Sequence, residues 1–252
     1  MQEMLFYRIL INKKNFNYEV ETRFFFKEKK DILYCFPQLK GLLFRQIRWK
    51  TSIIGEKLFL KDKQLRISEV IYKNETFNYL GYKEKDIGTF CNIRKELDEK
   101  IDDINSFIST SNIIRVLSLP YKKHKRNFNS IDDFFASYNI YKFLYFEGES
   151  EISEVDLSMF INKSLINKIK RPWSEKRYLT DYENLKLNLK IMYCNYIKFP
   201  LIFEIELIAN NKWKAFFFEK IIKEIVYDYN ISNIVIRKEP PFLLYETKNR
   251  IS

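Results

Sequence analysis

The sequence predicts an α+β protein in which helices pack on one side of an antiparallel β-sheet. Short segments of alternating apolar and polar residues follow one another and are joined by polar turns. Several of these segments place charged side chains on one face and apolar side chains on the other. Longer segments carry apolar residues at helical spacing, and 46% of the 252 residues are hydrophobic, enough to bury a substantial core.

The first third of the chain predicts a strand, a helix and an antiparallel meander. Residues 17–26 alternate as a strand, and Pro37 suits the first turn of a helix that runs to Trp49. The meander is predicted from three short strands, at 57–60, 64–72 and 77–82.

The middle of the chain predicts a helix at 93–108, because Ile93, Leu97 and Ile101 fall on one face with acidic residues largely opposite. The elements that follow are predicted to be a strand at 113–119, a basic loop at 121–127, a helix at 130–146 and a solvated acidic connection at 147–154.

The last third predicts three strands, at 176–181, 185–192 and 201–208, and then a helix at 213–229. Two prolines near residue 240 predict an extended arm. We therefore expect one domain at 1–236, with a helical insertion at about 122–170, and a linker or C-terminal arm at 237–252 that leads toward a further domain.

The composition restricts the chemistry. Lys and Arg number 44 against 33 Asp and Glu, so the net charge of +11 favours a polyanionic partner. Five glycines form no phosphate-binding signature, and one histidine with three separated cysteines excludes a zinc cluster or a Ser-His-Asp site. Carboxylates, Lys and Arg remain as the groups that could carry chemistry.

The N-terminus does not resemble a signal peptide, because Glu3 and Arg8 interrupt its short apolar run. We expect a cytoplasmic protein without a membrane partner. Heavy use of Lys, Asn, Ile, Phe and Tyr suggests an A/T-rich genome, such as that of a cytoplasmic virus or a linear plasmid.

Two strands carry paired glutamates, Glu19 with Glu21 and Glu204 with Glu206, and alternation places each pair on one face of its strand. Strand 185–192 instead places lysines and an asparagine on one face. In one arrangement, these charges lie on the wet face of an open sheet. In the other, the sheet closes into a barrel, and the converging glutamates need a divalent cation, Mg2+ or Mn2+, to relieve their repulsion.

The order of these segments resembles a known family. Glu19-x-Glu21-x-Arg23, the Leu-Arg-Ile-Ser strand at 65–68, the Lys-Arg-Tyr segment at 176–178 and Phe-Glu-Ile-Glu-Leu at 203–207 are similar to the metal-dependent RNA 5′-triphosphatases of the triphosphate tunnel family. The similarity spans residues 17–210. It implies a closed antiparallel β-barrel of about eight strands with helices outside.

The resemblance also implies roles for individual residues. Metal binding is implied for the four paired glutamates. Neutralisation of the phosphates is implied for Arg66, Lys83, Arg115, Arg177, Lys186 and Lys190. Substrate contacts are implied for Arg23, Lys85, Lys176 and Asn188, and Lys123 in the basic loop is a candidate contact to the RNA backbone. The chain departs from the family pattern at Tyr121, Asn188 and Ile208, where the family has acidic residues.

The function implied is removal of the γ-phosphate from triphosphate-ended RNA, the first step of mRNA capping, with guanylyltransferase and methyltransferase domains or subunits as partners. One alternative is another tunnel-family triphosphatase that acts on nucleoside triphosphates or inorganic polyphosphate. A second alternative is a catalytically weakened RNA-binding or transcription-associated subunit.

Overall fold

The structure is a computed structural model that describes residues 16–119, 127–161, 185–194 and 201–249. Its strands are β1 (Asn17–Phe26), β2 (Arg45–Ile54), β3 (Gln64–Tyr72), β4 (Glu75–Lys83), β5 (Asn92–Lys100), β6 (Lys142–Asp156), β7 (Lys186–Tyr193), β8 (Leu201–Ala209) and β9 (Val235–Ile236). Its α-helices are α1 (Lys29–Cys35), α2 (Glu56–Phe59), α3 (Ile104–Thr110), α4 (Asn112–Val116), α5 (Ile131–Ala136), α6 (Lys212–Asp228) and α7 (Pro240–Asn249).

The strands form one sheet in the order β5-β4-β3-β2-β6-β7-β8-β1-β9. A further pairing between β5 and β1 closes eight strands into a barrel, and β9 extends the sheet beside β1. The predicted α+β class with a closed antiparallel barrel and helices outside is therefore confirmed. Closure matters for function because it removes the exposed sheet edges and encloses one face of every strand.

The chain divides into two compact units. The first contains Arg48–Lys85 and Lys95–Glu147, and its apolar core joins β3, β4 and β5 to helices α3, α4 and α5. The second contains Tyr18–Ile47, Asp86–Arg94 and the described residues from Gly148 onward. The domain boundaries that we expect from the sequence, with one domain at 1–236, remain a prediction.

The second unit packs the apolar face of its strands against helix α6. Val20, Phe24 and Phe203 are fully buried with Phe218 and Ile222 of α6 in one cluster. Asn211 caps the helix, because its side chain accepts a hydrogen bond from the backbone N–H of Lys214. The predicted strand at 201–208 and the predicted helix at 213–229 are confirmed, with ends that differ by one residue. None of the described helices is both long and apolar enough to cross a membrane.

Two predicted helices are wrong over much of their length because those residues lie in barrel strands. Residues 93–100 of the predicted helix at 93–108 lie in β5, in which Arg94, Glu96 and Asp98 share one face. Only its last residues, 104–108, are helical, because they lie in α3. Apolar residues four apart mark one face of a helix, but four is also an even number, so the same spacing marks one face of a strand. Residues 37–49 contain a short 3-10 helix, Pro37–Leu39, and then the start of β2.

Several shorter elements also differ from the sequence prediction. Residues 57–60 and 113–119 are not strands, because most of them belong to helices α2 and α4. The predicted helix at 130–146 ends at Ala136, and Asn139 then takes a left-handed φ of 58° that stops it. The acidic segment 147–154 is part of strand β6. The predicted extended arm contains helix α7, because proline is tolerated in the first turn of a helix. The predicted strand at 176–181 lies outside the described residues.

A buried carboxylate on helix α6 holds the loop that precedes β5. Glu219 is 6% exposed and accepts hydrogen bonds from the backbone N–H groups of Thr89, Phe90 and Cys91 at 2.6–3.0 Å. The loop therefore satisfies its donors through one side chain instead of through a strand. Burial and the nearby Glu219 charge raise the pKa of the Cys91 thiol well above its ordinary value.

We expect Glu219→Ala to lower the free energy of unfolding by roughly 3 kcal/mol, because three N–H groups lose their acceptor. The control is Glu224→Ala, on the same helix, with an expected change below about 0.5 kcal/mol. Denaturant unfolding of both variants is the measurement. Equal effects of the two substitutions would contradict the proposed anchoring role.

Candidate functional site

The pairing of β1 with β8 brings the two glutamate strands together. In this antiparallel register, Glu21 lies opposite Glu206, and Arg23 lies opposite Glu204. The apolar residues between them, such as Val20, belong to the core that packs against α6. The charged side chains therefore occupy the other face of both strands, which is the enclosed face of the barrel.

Three carboxylates converge on this face. One oxygen of each of Glu19, Glu21 and Glu206 lies within 4.8 Å of the others. Glu19 and Glu21 are buried, and Glu206 is half-buried. Asn188 on β7 donates a hydrogen bond of 2.8 Å to Glu206 Oε1, which orients that carboxylate. We call these three glutamates the carboxylate triad.

The carboxylate triad fits a hard divalent cation. Its donors are all carboxylate oxygens, the ligand type that Mg2+ and Mn2+ prefer. Two oxygens bound to one Mg2+ at about 2.1 Å lie at most about 4.2 Å apart, so a small inward movement of the triad would suffice. A cation would also relieve the repulsion between buried carboxylates.

Glu204, the fourth glutamate expected to bind metal, is not a member of the triad. It accepts a hydrogen bond of 2.7 Å from Arg23 Nε. The Arg23 guanidinium also pairs with Glu21 and lies 3.7 Å from Glu239. Burial opposes the charge of Arg23, but the three carboxylates outweigh burial and raise its pKa above the ordinary value. Arg23 therefore stays a cation beside the carboxylate triad.

The first unit holds a second charged cluster. Arg66 on β3 pairs with Glu96 and with Asp98, the latter at 3.0 Å, and Lys83 Nζ lies 3.1 Å from Glu96. Glu96 is fully buried, and the two cations compensate the cost of burying a carboxylate. A Cβ at Gly81 would overlap with Asp98 Oδ1, so the close approach of the cluster to β4 requires glycine there.

The other predicted site residues occupy varied positions. Lys190 is half-buried and lies opposite Glu204 in the pairing of β7 with β8. Lys186 is exposed and pairs with Asp156. Lys85 is exposed beyond the end of β4, and Arg115 is exposed on helix α4, where the sequence predicts a strand. The predicted site residues outside the described part of the chain are Lys123, Lys176 and Arg177, and the family departure at Tyr121 also lies there.

The sequence prediction misses several buried charged residues, among them Arg94, Glu96 and Glu239. Arg94 and Glu96 fall within the predicted helix at 93–108, although their alternation with Ile93 and Leu97 carries a strand signal. Glu239 falls within the predicted extended arm, yet it lies 3.1 Å from Arg94 Nε. No local pattern indicates that Glu239 is buried.

The structure predicts different effects for Glu204→Gln and Glu206→Gln. We expect Mn2+ to raise the melting temperature of the wild type and of Glu204→Gln, but not that of Glu206→Gln, because only Glu206 belongs to the triad. Without metal, we expect Glu204→Gln to be less stable by about 3–5 kcal/mol, since it breaks a buried ion pair. Thermal unfolding across a Mn2+ titration measures both effects. Loss of the Mn2+ response in Glu204→Gln alone would contradict the assignment.

The chain is similar to known proteins in structure, whereas comparison of its sequence finds no match. No family model matches the chain, and no curated protein matches it. The PH1819 protein of Pyrococcus horikoshii is similar with a TM-score of 0.57 and 12% identity, over 91% of this chain and 99% of that protein.

A candidate adenylate cyclase of Vibrio parahaemolyticus is similar with a TM-score of 0.55 and 8% identity, over 92% of this chain and 99% of that protein. The PH1012 protein of P. horikoshii is similar with a TM-score of 0.50 and 14% identity, over 90% and 99%. At these identities, the likeness shows a shared fold, and this chain has the barrel fold of those proteins.

Proposed function

We propose that the protein is a metal-dependent triphosphatase, and specifically an RNA 5′-triphosphatase that acts in the first step of mRNA capping. The observation that carries this proposal is the carboxylate triad, which lies beside the buried cation Arg23 on the enclosed face of the barrel. A site of this kind offers oxygen ligands for a divalent cation and a positive charge for phosphate. The family resemblance at the glutamate strands supports the finer assignment.

In the proposed reaction, water attacks the γ-phosphorus of triphosphate-ended RNA. The bond between that phosphorus and the oxygen bridging to the β-phosphate breaks, which releases inorganic phosphate and leaves diphosphate-ended RNA. Mg2+ or Mn2+, when bound to the carboxylate triad, would neutralise charge on the phosphate oxygens. Arg23 would add a fixed positive charge that needs no reorganisation during the reaction.

The remaining predicted residues keep their proposed roles. Asn188 would hold Glu206 in position as well as contact substrate, since it already donates to that carboxylate. Phosphate neutralisation is proposed for Arg66, Lys83, Arg115, Arg177, Lys186 and Lys190, and further substrate contacts for Lys85, Lys123 and Lys176. Catalysis would then consist of positioning and electrostatic stabilisation, as in other phosphoryl transfers.

A second candidate is hydrolysis of nucleoside triphosphates or inorganic tripolyphosphate. The Vibrio protein that shares the fold is described as a candidate adenylate cyclase, a type of enzyme whose substrate is a free nucleotide. A triad and cations that engage only phosphate oxygens would serve either substrate. The third candidate is an RNA-binding or transcription-associated subunit with weakened catalysis.

We propose cytoplasmic capping partners of two kinds, a guanylyltransferase that uses the diphosphate-ended product and a methyltransferase that follows it. A diphosphate end is the acceptor that guanylyl transfer requires. Co-purification from the native source with guanylyl-transfer activity would support this assignment. Purification of the chain with no such activity associated would count against it.

The decisive assay compares phosphate release from γ-labelled triphosphate RNA, ATP and tripolyphosphate with Mg2+ or Mn2+. We expect release from RNA to be fastest and to depend on metal. Glu21→Gln and Glu206→Gln should each lower kcat at least about 100-fold, the magnitude typical of losing one preorganised electrostatic contact. The control, Glu75→Gln, changes an exposed carboxylate at the start of β4 and should keep wild-type activity.

Each alternative has its own outcome in this assay. Faster release from ATP or tripolyphosphate than from RNA would replace the RNA assignment with the second candidate. RNA binding without metal-dependent release from any substrate would leave the third candidate. Activity that survives in Glu206→Gln would overturn the role of the carboxylate triad.

A further inference from the structure

The C-terminal segment places a buried carboxylate between two arginines of the second unit. Glu239 is 2% exposed, and its Oε1 lies 3.1 Å from Arg94 Nε and 3.7 Å from Arg23 Nη2. Arg23 and Arg94 are themselves 3% and 4% exposed. A carboxylate from the segment before helix α7 thus contacts the same arginine that pairs with Glu21 of the carboxylate triad.

Much of the segment that carries Glu239 is exposed or half-buried. The backbone carbonyl of Glu239 accepts hydrogen bonds from the N–H groups of Phe242 and Leu243, which starts helix α7. Within α7, only Pro241 and Leu244 are buried. Arg237, on the other side of Glu239, hydrogen-bonds to the loop at 86–89 and is half-exposed. Such a segment can open locally at low cost compared with a strand of the barrel.

The arginine site retains donor capacity beyond Glu239. Arg23 Nη1 is buried and has no hydrogen-bond partner among the described residues. The side-chain donor Nδ2 of Asn92 is likewise buried without a partner among the described residues, as is its acceptor Oδ1, and Asn92 shares one face of β5 with Arg94 by alternation. Buried donors of this kind are normally satisfied, so their presence indicates a missing acceptor.

A phosphate group would satisfy these donors. Guanidinium groups bind carboxylate and phosphate oxygens with the same geometry, and a phosphate offers more oxygens than a carboxylate. Arg23 already contacts a member of the carboxylate triad, so a chain of phosphates that starts at the triad would pass next to Arg23.

We propose that the chain's own Glu239 is an internal competitor, which occupies the position beside Arg23 and Arg94 where a phosphate group binds. Substrate or inorganic polyphosphate displaces Glu239, and the start of helix α7 moves away with it. The inference rests on the proposed function only in taking a phosphate chain as the anion. Because a polyphosphate must displace Glu239 in order to bind, the C-terminal segment lowers the affinity for polyphosphate. A polyphosphate of sufficient length overcomes this competition.

The test measures tripolyphosphate binding to the full chain by calorimetry in EDTA, so that neither metal nor hydrolysis contributes. Glu239→Gln keeps the side-chain shape and removes the competing charge, and we expect it to bind tripolyphosphate at least about tenfold more tightly. The matched control is Glu246→Gln on the same helix, where Glu246 pairs with the exposed Lys238. We expect its affinity to stay within about twofold of the wild type.

Two further measurements follow the same site. Adding Arg94→Gln to Glu239→Gln should abolish the gain in affinity. In the wild type, which requires no variant to fold, tripolyphosphate should increase hydrogen exchange of the amides at 240–249. Unchanged affinity in Glu239→Gln, together with unchanged exchange in the wild type, would overturn the proposal.

This experiment separates the inference from the proposed function. Tighter binding by Glu239→Gln without hydrolysis of any triphosphate would support the arginine site and remove the triphosphatase assignment. Metal-dependent hydrolysis combined with equal binding by Glu239→Gln and the wild type would support the triphosphatase assignment. It would also remove the role of Glu239 as a competitor.

Discussion

Arg23 carries a positive charge that is almost completely removed from water, and the arrangement of the second unit depends on how that charge is balanced. Glu204 contacts it from β8, Glu21 from its own strand, and Glu239 from the C-terminal segment. An isolated guanidinium could not remain buried there, because the loss of hydration would exceed any packing gain. The carboxylates around it would in turn repel one another without this cation. The ion pairs of Arg23 therefore link the candidate metal site to the C-terminal segment.

The closed sheet makes this concentration of charge possible. Strands β1 and β8 place apolar residues such as Val20 and Phe203 in one cluster with helix α6 and leave the opposite face for charged groups. The eight closed strands enclose an inner face, and that face can hold charges that pair with one another. The first unit also holds a buried carboxylate that is paired with cations, because Glu96 contacts Arg66 and Lys83. Each unit thus holds carboxylates and cations within ion-pair distance of one another.

Strands with strict alternation and paired charges were predictable from the sequence, as the agreement at β1, β3, β7 and β8 shows. The same pattern identified the glutamates, since charged residues that alternate with apolar ones indicate a strand with one polar face. The role of Arg23 was implied by the family resemblance. The prediction was wrong at β5, where most residues on both faces of the strand are buried and the apolar spacing also fits a helix. It also missed the start of β2 and the strand β6. It could not identify Glu239, because the burial of this carboxylate depends on contacts with arginines far away in the sequence.

The sequence alone determined the chemistry available to this protein: carboxylates, lysines and arginines, with a net charge that favours a polyanion. It also determined which glutamates share a face, because alternation is a local property of the backbone. Only the tertiary structure decided which of them meet. The register of β1 with β8 places Glu206 opposite Glu21 and Glu204 opposite Arg23. The segment that follows β9 places Glu239 next to the same arginine. The strand register and the position of the segment after β9 are set by long-range packing, which no local pattern of residues encodes.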